Sequence, residues 1–100
     1  FLYARDCAEA IWKAFKKYNQ ADPINIGAGK ETSIKELAQI IKKLVGYEGE
    51  ITWDVARPNG QPRRCLDTAK AKQEFGFEAS TPLEEGLKRT YDWYLNSLNN

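Results

Sequence analysis

The chain has 100 residues, 42% of them hydrophobic and 29% charged, which is the balance of one small globular domain with a modest core. Its 15 basic and 14 acidic residues leave a net charge of +1, without the basic excess of a nucleic-acid or membrane-surface binder. There is no histidine, so Ser–His–Asp and Cys–His catalysis are excluded within this chain, and two isolated cysteines do not make a structural zinc site.

Phe1-Leu2-Tyr3 reads as a short strand, and Asp6 as the cap of a first helix. Ala10, Ile11, Ala14, Phe15 and Tyr18 recur on one face of that helix, with Lys13, Lys16 and Lys17 on the other face or its edges. The helix should end near Asn19, and Ala21-Asp22-Pro23 should form a loop. Ile24-Asn25-Ile26, bounded by Pro23 and Gly27, is the second predicted strand. Ser33 and Glu36 match a capping box ahead of the apolar stripe Ile34, Leu37, Ala38, Ile41, Leu44 and Val45, and Gly46 is a suitable terminator. Ile51-Thr52-Trp53 alternates as a third strand. Pro58, Gly60 and Pro62 then break regular structure. Asp67 should cap a short helix from Thr68 to about Phe75, ended by Gly76. Thr81-Pro82-Leu83-Glu84 reads as a second capping box, opening a last helix with Leu83, Leu87, Tyr91, Tyr94 and Leu98 on one side. The alternation predicts an α/β fold: a small three-stranded, mostly parallel sheet with about four helices, all in one unit over residues 1–100.

Gly27-Ala28-Gly29 resembles the opening of a dinucleotide-binding fingerprint, but the third small residue of that pattern falls on Thr32, so we expect a structural turn. Trp12, Trp53 and Trp93 could stack on carbohydrate, although core filling is the expected role. Cys7 and Cys65 are expected to be free, buried thiols, which suits a cytoplasmic setting. Asp54, Asp67, Glu84 and Glu85 show no pairing that marks acid–base catalysis.

Arg57-Pro58-Asn59-Gly60-Gln61-Pro62-Arg63-Arg64 stands out, with three arginines in eight residues of a nearly neutral chain. Arginine forks fit phosphate oxygens bidentately, and the prolines restrict the loop that carries them. Asn59 and Gln61 could add neutral donors and acceptors for a sugar or base. A solvated loop whose arginines pair with Asp54 or Asp67 accounts for the residues equally well. The chain has no methionine and opens on the apolar run Phe1-Leu2-Tyr3, so we expect a piece of a longer protein.

Four ordered pieces resemble the C-terminal part of the extended short-chain dehydrogenase/reductases, the NAD-dependent epimerases and dehydratases of nucleotide sugars. They are Phe1–Ala10, Ile24–Gly29, Ser33–Leu37, and Arg57–Thr68 continuing through Gly76-Phe77 to Trp93-Tyr94. The loop is most similar to that of the GDP-L-fucose synthase branch. The resemblance implies the C-terminal lobe of an extended Rossmann-fold sugar-nucleotide enzyme, which binds a nucleotide sugar. It places Arg57 on the diphosphate and Asn59, Gln61 and Arg63 near the nucleotide or its ribose, with Arg64 pointing away or paired with an acid. It also implies NAD or NADP for the full-length parent, held by an N-terminal Rossmann domain outside this chain. The family's Tyr-x-x-x-Lys pair is not here, since no tyrosine has lysine four positions later. No catalytic, cofactor-binding or metal-binding residue is therefore assigned. Apolar residues around Phe1 and Leu2 leave room for a homodimer. The alternative is a free-standing α/β binding or interaction module without enzymatic activity.

Overall fold

The computed structural model describes residues 1–60 and 63–99. Four helices succeed one another: α1 (Ala4–Lys17), α2 (Ile34–Val45), α3 (Ala69–Phe75) and α4 (Leu83–Leu98). The predicted three-stranded sheet, and with it the α/β architecture, is not formed among the described residues. Phe1–Tyr3, Ile24–Ile26 and Ile51–Trp53 carry no strand ladder. Alternation reports an extended backbone with one face turned inward; it does not supply a neighbouring backbone, and a strand exists only through that neighbour's hydrogen bonds. Ile24 and Ile26 show the point, since both lie half-buried against the core without forming a ladder.

α1 packs against α3, and α2 against α4. The fully enclosed core belongs to the first pair and is small: Ala10, Ala71, Phe75 and Phe77, with Leu2, Ala14, Tyr18, Ile24, Ile26 and Ala79 around it. Tyr18 meets the Phe75 ring edge-on at 6.1 Å and donates its hydroxyl to the Asp22 carbonyl at 2.7 Å. Burying two phenylalanines contributes about 1.5–3 kcal/mol each before entropy is counted. Gly76, at φ 68, makes the turn that lets Phe75 and Phe77 enter one core from either side of a helix end.

The caps close as the sequence predicts at both ends of α2, whereas α3 starts at the cap residue Thr68, which makes no side-chain cap bond, with Asp67 one position before it. Ser33 Oγ accepts from the Glu36 amide at 3.0 Å, the Ser33 amide donates to Glu36 Oε2 at 3.2 Å, and Gly46 ends α2 at φ 72. Asp67 Oδ1 accepts from the Ala69 amide at 3.0 Å at the start of α3. The other two caps differ from expectation, and one cause explains both. Asp6 lies inside the first turn of α1, not before it, and its carboxylate is 3% exposed. It accepts from the Thr81 amide at 3.0 Å, from Thr81 Oγ1 at 3.0 Å and from Ser80 Oγ at 3.4 Å. Thr81 is thereby drawn away from capping α4, whose cap residue Pro82 makes no side-chain cap bond.

The structure is flat, 49 × 39 × 19 Å, with a radius of gyration of 16.7 Å. A closed 100-residue domain would have about 13 Å. Much of the apolar surface stays outside: Phe15 is 79% exposed, Trp12 stacks on it at 5.8 Å, and Trp93, Tyr94 and Leu98 line the open side of α4. The tryptophans are therefore not core residues. The space inside is already taken by Phe75 and Phe77, and Trp12, Trp53 and Trp93 lie half or more exposed.

Two stability changes follow from these contacts. Asp6→Ala leaves the part-buried Thr81 amide and two hydroxyls without their acceptor and should cost about 1–2 kcal/mol in chemical denaturation. Asp6→Asn keeps one acceptor oxygen and should cost clearly less; equal losses would show that hydrogen bonding is not what Asp6 supplies. Gly86→Ala should also destabilise, because a Cβ there would lie 3.2–3.3 Å from the Tyr3 side chain. Its melting temperature should fall, and the additional change Tyr3→Ala should recover part of the loss, since it removes the two ring contacts but keeps the Tyr3 Cβ at 3.3 Å.

Candidate functional site

Arg57 sits in a turn organised by a single acid. Asp54 Oδ1 accepts from the Ala56 amide at 3.1 Å, and Asp54 Oδ2 accepts from Arg57 Nε at 3.0 Å. The side chain of Arg57 is 85% exposed even so. Asn59 is exposed, and Gln61 lies outside the described residues.

Arg63 is held differently. Its Nε donates at 2.7 Å to Oε1 of Glu31, from a segment 32 residues earlier. Glu31's hydrogen bond, and after it Glu31's charge, raise the pKa of the guanidinium above its ordinary value. The Arg63 side chain is 76% exposed. Of the two adjacent arginines it is Arg63 that finds an acid; Arg64 is exposed and makes no ion pair among the described residues.

Both site arginines thus carry the same pattern. Among the described residues, each guanidinium donates one hydrogen bond, through Nε, to one carboxylate. The terminal nitrogens are left as an exposed two-pronged edge, the arrangement that matches an anion's oxygens. Both arginines are thus solvated and paired with acids, and among the described residues their terminal nitrogens carry no further hydrogen bond. Glu31 was not singled out from the sequence. Its only signal is that it is an acid after the glycine turn that no cap consumes, since Ser33 pairs with Glu36.

The glycine turn underlies this arrangement. A Cβ at Gly27 would lie 3.5 Å from Leu66 Cβ, and one at Gly29, whose φ is 73, would lie 3.0 Å from Thr68 Oγ1. The turn is small because the segment following the arginines packs onto it. These residues do not fit a dinucleotide: Thr68 fills the face of the turn, and α2 begins only at Ile34 with its own side-chain cap.

Cys7 and Cys65 are both free, but neither is buried as expected: Cys7 is half-buried and Cys65 is exposed. The segment from Arg63 to Asp67 runs along the surface, and Leu66 is exposed beside it. A separate groove of about 580 Å³ opens between the amino-terminal residues Phe1 and Tyr3, Ile41 and Leu37 of α2, and Leu83 and Leu87 of α4. No helix among the described residues is long and apolar enough to cross a membrane.

The chain is 40% identical over 98 residues to a probable GDP-L-fucose synthase 1 of Oryza sativa subsp. japonica, covering 98% of this chain and 30% of that protein. It is 43% identical over 96 residues to the GDP-L-fucose synthase of Escherichia coli strain K12, covering 96% of this chain and 29% of that protein. The fold matches a Thermotoga maritima UDP-glucose 4-epimerase solved with UDP-glucose, at TM-score 0.83 and 31% identity, over 97% of this chain and 31% of the other. It also matches the Bordetella bronchiseptica enzyme WbmF solved with NADH, at TM-score 0.84 and 30% identity, over 99% of this chain and 30% of the other. The chain spans about a third of the length of these relatives. The family described as GDP-mannose 4,6 dehydratase matches residues 1–90, and the chain belongs to that family, within the extended short-chain dehydrogenase/reductases.

Proposed function

We propose that this chain is the substrate-binding lobe of an NAD(P)-dependent nucleotide-sugar epimerase, dehydratase or GDP-L-fucose synthase-like epimerase-reductase. Arg57 grips the diphosphate, and Asn59 and Gln61 meet the nucleotide or its ribose; Arg63, which the resemblance sets near the nucleotide or its ribose, is assigned here to the diphosphate because its terminal edge is open. The observation that carries this reading is the pair of exposed guanidiniums, each fixed through Nε and open at its terminal edge. Family membership supports it, as does the UDP-glucose present in a similar structure. The lobe's contribution to catalysis is positional. Binding energy collected at the diphosphate holds the sugar ring in place for groups carried elsewhere in the protein. The reactive tyrosine and lysine and the NAD(P) site belong, on this reading, to a Rossmann domain that precedes the lobe, in a cytoplasmic enzyme.

The open apolar faces support the same view. A free-standing module would have to keep Phe15, Trp12, Trp93 and the wide groove at Phe1 in water. A lobe seated on a larger domain covers such surface.

In the intact protein, Arg57→Ala should weaken GDP binding, measured by calorimetry, by about 10- to 100-fold, the equivalent of one charged hydrogen-bonded contact. An unchanged dissociation constant rules out the proposed role of Arg57. The isolated 100-residue chain should self-associate in sedimentation as its concentration rises. If it stays strictly monomeric, the seated-lobe reading loses its support.

A further inference from the structure

The two site arginines are not held alike. Asp54 lies three residues from Arg57 in the same turn, whereas Glu31 reaches Arg63 from another part of the chain. Glu31 follows the Gly27–Gly29 turn, and that turn is set against Leu66 and Thr68 by contacts of 3.0–3.7 Å to where its missing Cβ atoms would stand. The acid and the far end of the arginine loop thus share one local frame. Pro58 fixes one backbone angle before Arg63, but no proline fixes the side-chain torsions of the arginine itself.

We propose that Glu31 is a positioning residue, which orients the Arg63 guanidinium so that its terminal edge faces the incoming diphosphate. The inference rests on the reading of Arg57–Arg63 as the diphosphate segment. An arginine in free solvent must give up rotamer freedom when it meets an anion, whereas one already hydrogen-bonded through Nε has given it up beforehand. The carboxylate also carries a charge that repels phosphate, so its effect on affinity has a definite sign in each case. Orientation makes Glu31 helpful to binding; simple competition for Arg63 makes it harmful. Exposed pairs of this kind add little to folding stability, so the effect should appear in binding and not in the melting temperature.

The test uses GDP as probe and calorimetry on the intact protein. Glu31→Ala should weaken GDP binding by about threefold or more, a coupling of ordinary size for two groups in contact. Its melting temperature should match that of the parent. Glu31→Gln should recover most of the affinity, because the amide oxygen can accept the same Nε–H. In an Arg63→Ala background, Glu31→Ala should add no further loss. GDP binding that is unchanged or tighter in Glu31→Ala overturns the proposal, and so does an undiminished loss in the Arg63→Ala background. If Arg63→Ala does weaken GDP binding, those results leave the diphosphate reading standing. If Arg63→Ala itself has no effect, that reading fails at Arg63 and the role of Glu31 falls with it.

Discussion

The carboxylate of Asp6 ties together two helix pairs that otherwise touch little. α1 lies on α3 and α2 on α4, and the link runs from the first turn of α1 to Ser80 and Thr81, the approach to α4. A buried carboxylate is costly unless its lone pairs are used, and here a backbone amide and two hydroxyls use them. Asp6 also sits at the positive end of the α1 dipole. Next to it, Tyr3 lies over Gly86, where the absent side chain lets the amino-terminal segment approach α4. The groove between the two pairs takes its shape from this junction, with Phe1, Tyr3 and Thr81 all on its wall.

A second constraint is the shortage of apolar cover. Four residues form the enclosed core, while aromatic side chains of α1 and α4 stay open. Propensity and capping are therefore strong at the ends of α2, which buries no residue fully and depends on Ser33, Glu36 and Gly46 for its limits. Local hydrogen bonds can define a helix; they cannot enclose it. That imbalance is what a surface built to be covered looks like, and it agrees with a chain spanning about a third of its relatives' length.

The same contrast decides what the sequence made legible. Helices and their glycine ends could be read, because capping and the 3.6-residue period depend on residues within a few positions of each other. Three strands were read from three-residue runs and none formed a ladder, because pairing depends on a distant backbone that such a run does not encode. Asp6 was read as a cap because the type of residue is right for one. Its actual partners lie 74 and 75 residues away. In the candidate site, Arg57 and its neighbour Asp54 were visible as an option, since they share one turn. Glu31 was not visible, since nothing in the spacing of residues 31 and 63 marks a contact.

The site's design is clearest in how its two acids differ. A carboxylate within the loop, such as Asp54, shapes the turn that presents Arg57 but cannot tie that turn to the rest of the molecule. A carboxylate outside the loop can, and Glu31 does so beside a glycine turn already packed against Leu66 and Thr68. One arginine is thus paired within its own turn, and the other with an acid from a distant part of the chain. On the proposed reading, the diphosphate offers oxygens on two adjacent phosphorus centres, and two forks held by acids from different parts of the chain suit it.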